Sequence, residues 1–516
     1  MTLESNVTRR EFMRGGMVAA SSGAFVGGPM FFHYAPLFAA TDFDVQVRDA
    51  GACGPPPPPK PAQRSASEGV PPLPIPVTPQ RRTEKKKPPT PPTLVIKIVD
   101  GAVSNWATDR NDINNLLTWM KTAMKVNFSY EEKPLNQVAF DVEMPPLLYR
   151  TGHDAFEMTA GDRQILRDYI LKGGFIYFDA CCGRQGFVDS VRRELAVIFP
   201  ERRLEPLPAD HPIYRCYYDV PEVAYTPYAN ISGMAPPPFE GIDIGCRTAV
   251  LFSPFDLSCG WDMHTHDTCA GVQAKYALQL GANMMAYATA TKTMGKSLAT
   301  SRVYVDKNPS RADKFRIGQV IHDGQWNPNV ARLSTLVDTV GRTTSLRTSF
   351  ADEPVKLDSR ELTEFPFLYM TGHRKFTLSK DEAIGLQRYL QFGGFLLAEA
   401  CCGRQSFDLA FRAHMQKLFP GQRLTPIKLD HPIYSMHHKV QRVNFTKAAL
   451  SWNRKLRNPS PPALMGLEID GHLAVVYSPY GLGNGWELSP NPYAIAYESK
   501  DAIELGVNTV LYTMMH

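Results

Sequence analysis

Phe175-Ile176-Tyr177-Phe178-Asp179-Ala180-Cys181-Cys182-Gly183-Arg184-Gln185 recurs as Phe395-Leu396-Leu397-Ala398-Glu399-Ala400-Cys401-Cys402-Gly403-Arg404-Gln405. Each stretch follows a Gly-Gly pair and runs apolar for the length of one buried strand. Such runs mark strands covered on both faces, as in parallel sheets. Around this element the chain repeats itself: His373, Cys401 and His431 each lie 220 residues after His153, Cys181 and His211. A repeat of that length is a duplicated domain and not a solenoid.

Outward from the repeated strand, each copy alternates strand and helix. A first strand ends in Asp-Gly (Asp100-Gly101, Asp323-Gly324), with a Trp soon after (Trp106, Trp326). An amphipathic helix is expected over about 112–125 and 329–340, with Ile113, Leu116, Leu117 and Met120 at helical spacing. A second apolar strand ends in Thr-Gly-His. Thr159 with Asp162 and Ser379 with Glu382 then read as helix starts, and Gly173-Gly174 and Gly393-Gly394 as helix stops. Another helix follows Cys-Cys-Gly-Arg, then the loop Asp-His-Pro-Ile-Tyr, a strand pair (241–253, 466–478) and a closing helix. This order predicts an α/β fold with mostly parallel sheets. The ligand crevice of such sheets lies beyond the carboxyl ends of the strands. The Thr-Gly-His and Cys-Cys-Gly-Arg loops should therefore share one rim.

The chain has 516 residues, 43% of them hydrophobic, and a net charge of +5. That is material for two domains of roughly 200 residues. The organisation read from the sequence is a leader over 1–40, a linker over 41–93, one module over 94–291, a connector over 292–313 and a second module over 314–516. Arg9-Arg10-Glu11-Phe12-Met13-Arg14, ahead of a mildly apolar Gly/Ala-rich stretch, resembles a twin-arginine export signal, with Arg9, Arg10 and Phe12 as its core. The reading predicts an exported protein, periplasmic or tethered facing the periplasm if the leader is uncleaved. Residues 51–92 are rich in proline and read as an extended spacer. The basic run at Arg81-Arg82 and Lys85-Lys86-Lys87 reads as solvated linker and not as a nucleic-acid surface.

The rim residues present in both copies are His153/His373, Asp179/Glu399, Cys181/Cys401, Cys182/Cys402, Arg184/Arg404, Asp210/Asp430, His211/His431 and Tyr214/Tyr434. A Cys at a strand-to-helix turn beside an Arg can be a nucleophile, with His153 or His373 as base to Cys181 or Cys401. Two adjacent thiols suit a single nucleophile poorly. Packing of the turn and a disulfide therefore rank ahead, since an exported protein meets oxidising conditions. The two His-containing loops read first as loop locks, with base or metal ligand second. Arg184 and Arg404 read as loop-ordering ion pairs or as carboxylate or phosphate clamps.

Copy 1 alone carries Cys259, His264, His266 and Cys269, a donor set suited to zinc at a spacing that fits no common zinc finger. A Cys259–Cys269 disulfide or a plain loop ranks ahead of metal. Cys216 and Cys246 are also confined to copy 1, so a local disulfide set is an expectation whose pairing the sequence leaves open. No cofactor is required by the sequence; zinc is the ion it would suit.

The run Tyr149-x-Thr151-Gly152-His153-x-x-Phe156, Leu166-Arg167-x-Tyr169-x-x-x-Gly173-Gly174-Phe175, Cys181, Phe199-Pro200, Asp210-His211-Pro212 and Gly281-x-Asn283-x-x-x-Tyr287 resembles the bacterial DUF4159 family, across nearly all of both modules. That resemblance implies a fold similar to the class I glutamine amidotransferase-like, flavodoxin-like superfold, in which a nucleophilic Cys follows the strand. The elbow here, Asp179-Ala180-Cys181-Cys182-Gly183, departs from the Gly-x-Cys-x-Gly of active amidotransferases, and neither copy has a later His-x-Glu where expected. The expected function is a duplicated, non-catalytic module that binds a small ligand or another envelope protein. A Cys-dependent hydrolase or amidase is the alternative.

Overall fold

The computed structural model describes residues 93–100, 103–138, 144–264, 266–299, 314–328, 331–348, 353–487 and 491–515. The stretches expected to be an export signal and a proline-rich spacer lie outside these residues. The rest forms two α/β units, each around a seven-stranded, mostly parallel sheet.

The first unit contains β1 (Thr93–Ile98), β2 (Phe128–Lys133), β3 (Leu147–Gly152), β4 (Ile176–Ala180), β5 (Glu205–Pro206), a separate two-stranded ribbon of β6 (Val223–Ala224) and β7 (Met234–Ala235), then β8 (Glu240–Ile244) and β9 (Arg247–Ser253). The main sheet runs β2-β1-β3-β4-β9-β8-β5, with β8 antiparallel to both neighbours. The second unit repeats this as β11-β10-β12-β13-β16-β15-β14, where β10 is Ile317–Val320, β11 Glu353–Val355, β12 Phe367–Gly372, β13 Phe395–Ala400, β14 Thr425–Pro426, β15 Met465–Ile469 and β16 His472–Ser478. The edge strands β2 and β11 were not anticipated: β2 is largely polar and β11 has only three residues, so neither alternation nor an apolar run announces them.

Local chemistry behaves as the repeat suggests. Ser379 and Glu382 close a full capping box on the helix Lys380–Gln391, and Thr159 accepts from Asp162 N at the equivalent start. Gly173 and Gly393 end those helices at φ +102° and +90°, where a side chain would be strained. The closing helix of the first unit runs Ala274–Ala299, well into the stretch expected to be connector. Helices cover both sheet faces. The cluster of Leu116, Tyr149, Tyr177 and Trp261 fills one side and that of Leu148, Leu166, Phe178 and Leu195 the other. No helix of the described residues is long and apolar enough to cross a membrane.

The two units touch through different surfaces. Asp210 of the first unit accepts from Gln405 N (2.7 Å) and Ser406 Oγ (3.3 Å) at the start of the second unit's helix Gln405–Leu418. Arg404 Nη1 donates to the Asp210 carbonyl (3.1 Å), and Arg374 pairs with Glu205 and Asp243. The equivalent Asp430 is exposed. The contact is heterologous: the two modules meet through unlike surfaces, without two-fold character.

Candidate functional site: two thiol clusters on the strand ends

β3 and β4 are adjacent parallel strands, as are β12 and β13. Their ends place Thr-Gly-His and Cys-Cys-Gly on one rim, as the topology argument required. Immediately after β4 the chain makes a single helical turn, Cys181–Gly183, in which Cys182 adopts φ 55°, ψ 14°; Cys402 does the same at φ 55°, ψ 15°. A non-glycine residue there costs on the order of 1 kcal/mol or more. The surroundings hold it: Asp256 accepts from Cys182 N, and in the second unit Asn484 Oδ1 accepts from Cys402 N at 2.8 Å.

Asp179 and Glu399 are fully buried and do the same structural work. Asp179 accepts from Leu257 N (3.1 Å), Ser258 N (3.0 Å) and Tyr177 Oη, and so fixes the turn after β9. Glu399 accepts from Leu482 N and Gly483 N after β16. Burial pushes the Asp179 carboxyl up to about 6, against the hydrogen bonds that it accepts.

That turn delivers Cys259. Behind it a loop returns His266 and Cys269, and the four ligand atoms of Cys182, Cys259, His266 and Cys269 lie within 4.8 Å of one another. Cys182 Sγ is 3.9 Å from Cys259 Sγ and 3.1 Å from His266 Nε2. A second, overlapping group joins Cys181, Cys182, Asp256 and Cys259. Zinc with Zn–S of about 2.3 Å in a tetrahedron sets S···S edges of about 3.8 Å, so the sulfur spacing fits. His266 Nδ1 lies 3.0 Å from Thr268 Oγ1, the kind of outer contact that aims a ligating imidazole. Asp109, 0% exposed, accepts from Cys181 Sγ (3.0 Å), and Asp256 accepts from Cys259 N and Cys269 Sγ. Burial, then Asp179 and Asp109, push the Asp256 carboxyl well above its usual range. A dry pocket of thiols and carboxylates is a poor place for neutral packing and a good one for a cation.

The sequence expectation is corrected in two respects. His264 stands outside the cluster and Cys182 takes its place, brought by a strand end 77 residues before Cys259. No disulfide joins any of the eight described cysteines, so neither a Cys259–Cys269 bridge nor a vicinal one is present. Cys216 donates to the Asn283 carbonyl and belongs to neither cluster.

In the second unit the equivalents of Cys259, His266 and Cys269 are Asn484, Asn491 and Ala494. Its thiols meet other partners. His373 Nε2 lies 3.1 Å from Cys401 Sγ, and Cys246, at the tip of the β8–β9 hairpin of the first unit, lies 3.5 Å from Cys401 Sγ. Hydrogen bonds from Cys246 and Cys401 hold the Cys402 thiol well below its usual range. His153, the counterpart of His373, falls outside both clusters of the first unit.

Most of the remaining candidates serve the framework. His211 caps the turn Pro212–Tyr214: Ile213 N donates to its Nδ1, leaving Nε2 to Thr248 Oγ1 at 2.9 Å. Burial first, then Arg404, hold it neutral. His431 Nδ1 accepts from Ile433 N in the same way. Tyr214 and Tyr434 are core residues, Arg184 is exposed, and Arg404 serves the contact between units.

The fold and rim define a class: a duplicated parallel α/β module whose strand ends carry paired thiols. Residues 96–289 and 316–514 each match the family described as Domain of unknown function (DUF4159), and the chain belongs to that family, in two tandem copies. Among curated proteins nothing matches it.

Proposed function

We propose that this protein is an exported, metal-stabilised binding scaffold of the cell envelope. The first module would hold a zinc-class ion on Cys182, Cys259, His266 and Cys269. The observation that carries this reading is the convergence of three thiols and an imidazole to within 4.8 Å. Four protein ligands make a closed site, which stabilises and does not turn over substrate. Cys182, Cys259 and Cys269 are each no more than 3% exposed, which leaves little path for a substrate. The ion would lock the turn after β4 to the loop after β9. Exposed rim residues, Arg184 among them, would then be presented to a ligand or an envelope partner. Export in the folded state by the twin-arginine route suits a protein loaded with metal before translocation.

Elemental analysis of protein purified without chelator tests the site. We expect bound zinc that falls by one equivalent in Cys259→Ser, with thiols 182, 259 and 269 alkylating only after chelation. Full metal content in Cys259→Ser would sink the reading. Export is tested by replacing Arg9 and Arg10 with Lys, which should leave the precursor in the cytoplasm.

One observation supports a hydrolase instead. Cys401 and His373 are 3.1 Å apart, beside a strained strand-to-helix turn. Both are buried, at 0% and 4% exposure. Rapid alkylation of Cys401 in the native protein, with an esterase or amidase activity lost in Cys401→Ser, would favour that reading.

A further inference from the structure

We propose a second metal site at the junction of the two modules, built from Cys246 of the first and His373, Cys401 and Cys402 of the second, which takes a zinc-class ion and clasps the modules together. It rests on residues distinct from those of the first site. Its four ligand atoms also lie within 4.8 Å of one another, and all four residues are buried.

The surrounding contacts prepare these residues as ligands. Gln325 Nε2 donates to Asp243 Oδ2 at 2.9 Å, and a carboxylate there can only accept. The other end of the same amide, Oε1, therefore accepts from His373 Nδ1 at 3.0 Å. That fixes the tautomer and turns the Nε2 lone pair toward Cys401 Sγ, the usual outer arrangement of a ligating histidine. Asp243 belongs to the first module, so both modules must be docked for the imidazole to be aimed.

The sulfurs are similarly served. Asn484 accepts from Cys402 N through Oδ1, which commits its Nδ2 to the Cys402 sulfur at 3.3 Å. Asn491 Nδ2 donates to the same sulfur at 3.3 Å and to the Cys246 carbonyl at 3.3 Å. Arg332 Nη1 donates to Cys401 Sγ at 3.8 Å. N–H donors on sulfur favour thiolate, the form that binds metal. The buried Arg332 guanidinium sits beside this group of sulfurs. Glu399 and Glu487 flank that guanidinium at 3.5 and 3.7 Å, and the Cys246 thiol donates to Glu487 Oε1 at 3.4 Å, a proton that metal binding would release.

The duplication explains the borrowing. The second module lacks the three donors that follow β9 in the first. Its own hairpin tip, Asp470-Gly471, sits in solvent with Gly471 at the position of Cys246. Cys246 is thus the one donor that arrives with docking.

The test is metal stoichiometry of the full chain by native mass spectrometry, after reduction and equilibration with Zn²⁺. We expect two ions in the wild type, one in Cys246→Gly, one in Cys259→Ser and none in the double variant. Glycine is the residue at the second module's own tip, so Cys246→Gly should fold, with unchanged circular dichroism. Cys401→Ser serves as an independent second variant. Undiminished zinc in both Cys246→Gly and Cys401→Ser overturns the junction site, as does a Cys246–Cys401 disulfide in the reduced and zinc-equilibrated protein. Loss on Cys246→Gly without loss on Cys259→Ser would instead overturn only the first site.

Discussion

The buried polar residues of this protein divide by what their second hydrogen-bonding atom does. His322 shows the framework kind. Gly324 N donates to its Nδ1 (3.0 Å), and its Nε2 faces the Thr371 carbonyl (2.9 Å), so the folded chain requires the neutral ring. Burial lowers its pKa from 6.5 to about 4. Between those values the unfolded chain binds more protons, so stability is full above pH 6.5 and falls as pH drops toward 4, by up to about 3 kcal/mol. The urea midpoint of the wild type should therefore drop more steeply from pH 7.5 to 4.5 than that of His322→Gln; parallel pH profiles would refute the assignment. Asp179 is the second case. Asp179→Ala strips acceptors from Leu257 N, Ser258 N and Tyr177 Oη in a dry interior, and we expect a loss of about 2–4 kcal/mol by denaturant titration.

At the scale of elements, the closing helices of both modules cross a buried Trp with no room to spare. A Cβ added at Gly281 would sit 2.8 Å from Leu116 Cδ1 and 3.0 Å from Trp261 Nε1; one at Gly506 would sit 2.7 Å from Leu336 Cδ1. Alanine gains about 1 kcal/mol in helix propensity over glycine. Overpacking costs about 1–3 kcal/mol. Trp261 Nε1 is tied to the Ala277 carbonyl at 2.8 Å and cannot swing aside, so the steric term wins. Gly281→Ala and Gly506→Ala should each lower stability by about 1–2 kcal/mol and shift tryptophan emission; a rise in the thermal midpoint would show that the helix slides instead. The helix starts at Thr159 and Ser379 and the strands β3, β4, β12 and β13 were legible in the sequence, because each carries its own punctuation or apolar run. β2 and β11 were not: one is largely polar and the other three residues long, and both are edges that exist because β1 and β10 offer them a partner.

For the whole molecule, the junction is a set of charges on two faces that the duplication did not pair with each other. Burial alone would raise the Asp243 carboxyl. Arg374, aided by the hydrogen bond from the Thr248 hydroxyl, outweighs it and holds it well below the usual range. Asp210→Ala combined with Asp243→Ala removes the helix-start acceptor and the anchor of Arg374 and Gln325 together. We expect the single calorimetric transition of a docked pair to split into two, one per module; a single unchanged transition would place the docking energy elsewhere. The sequence by itself determined the duplication, the parallel α/β order and the rim on which the thiols stand, because strand, cap and turn signals are local and were written twice. Which thiols meet was decided only by tertiary structure. Cys182 joins Cys259 across 77 residues and Cys246 joins Cys401 across 155, through crossovers and docking that no local pattern encodes. His264, nearest the ligands in sequence, is left out because a loop's path in space, and not its spacing along the chain, sets which side chains converge.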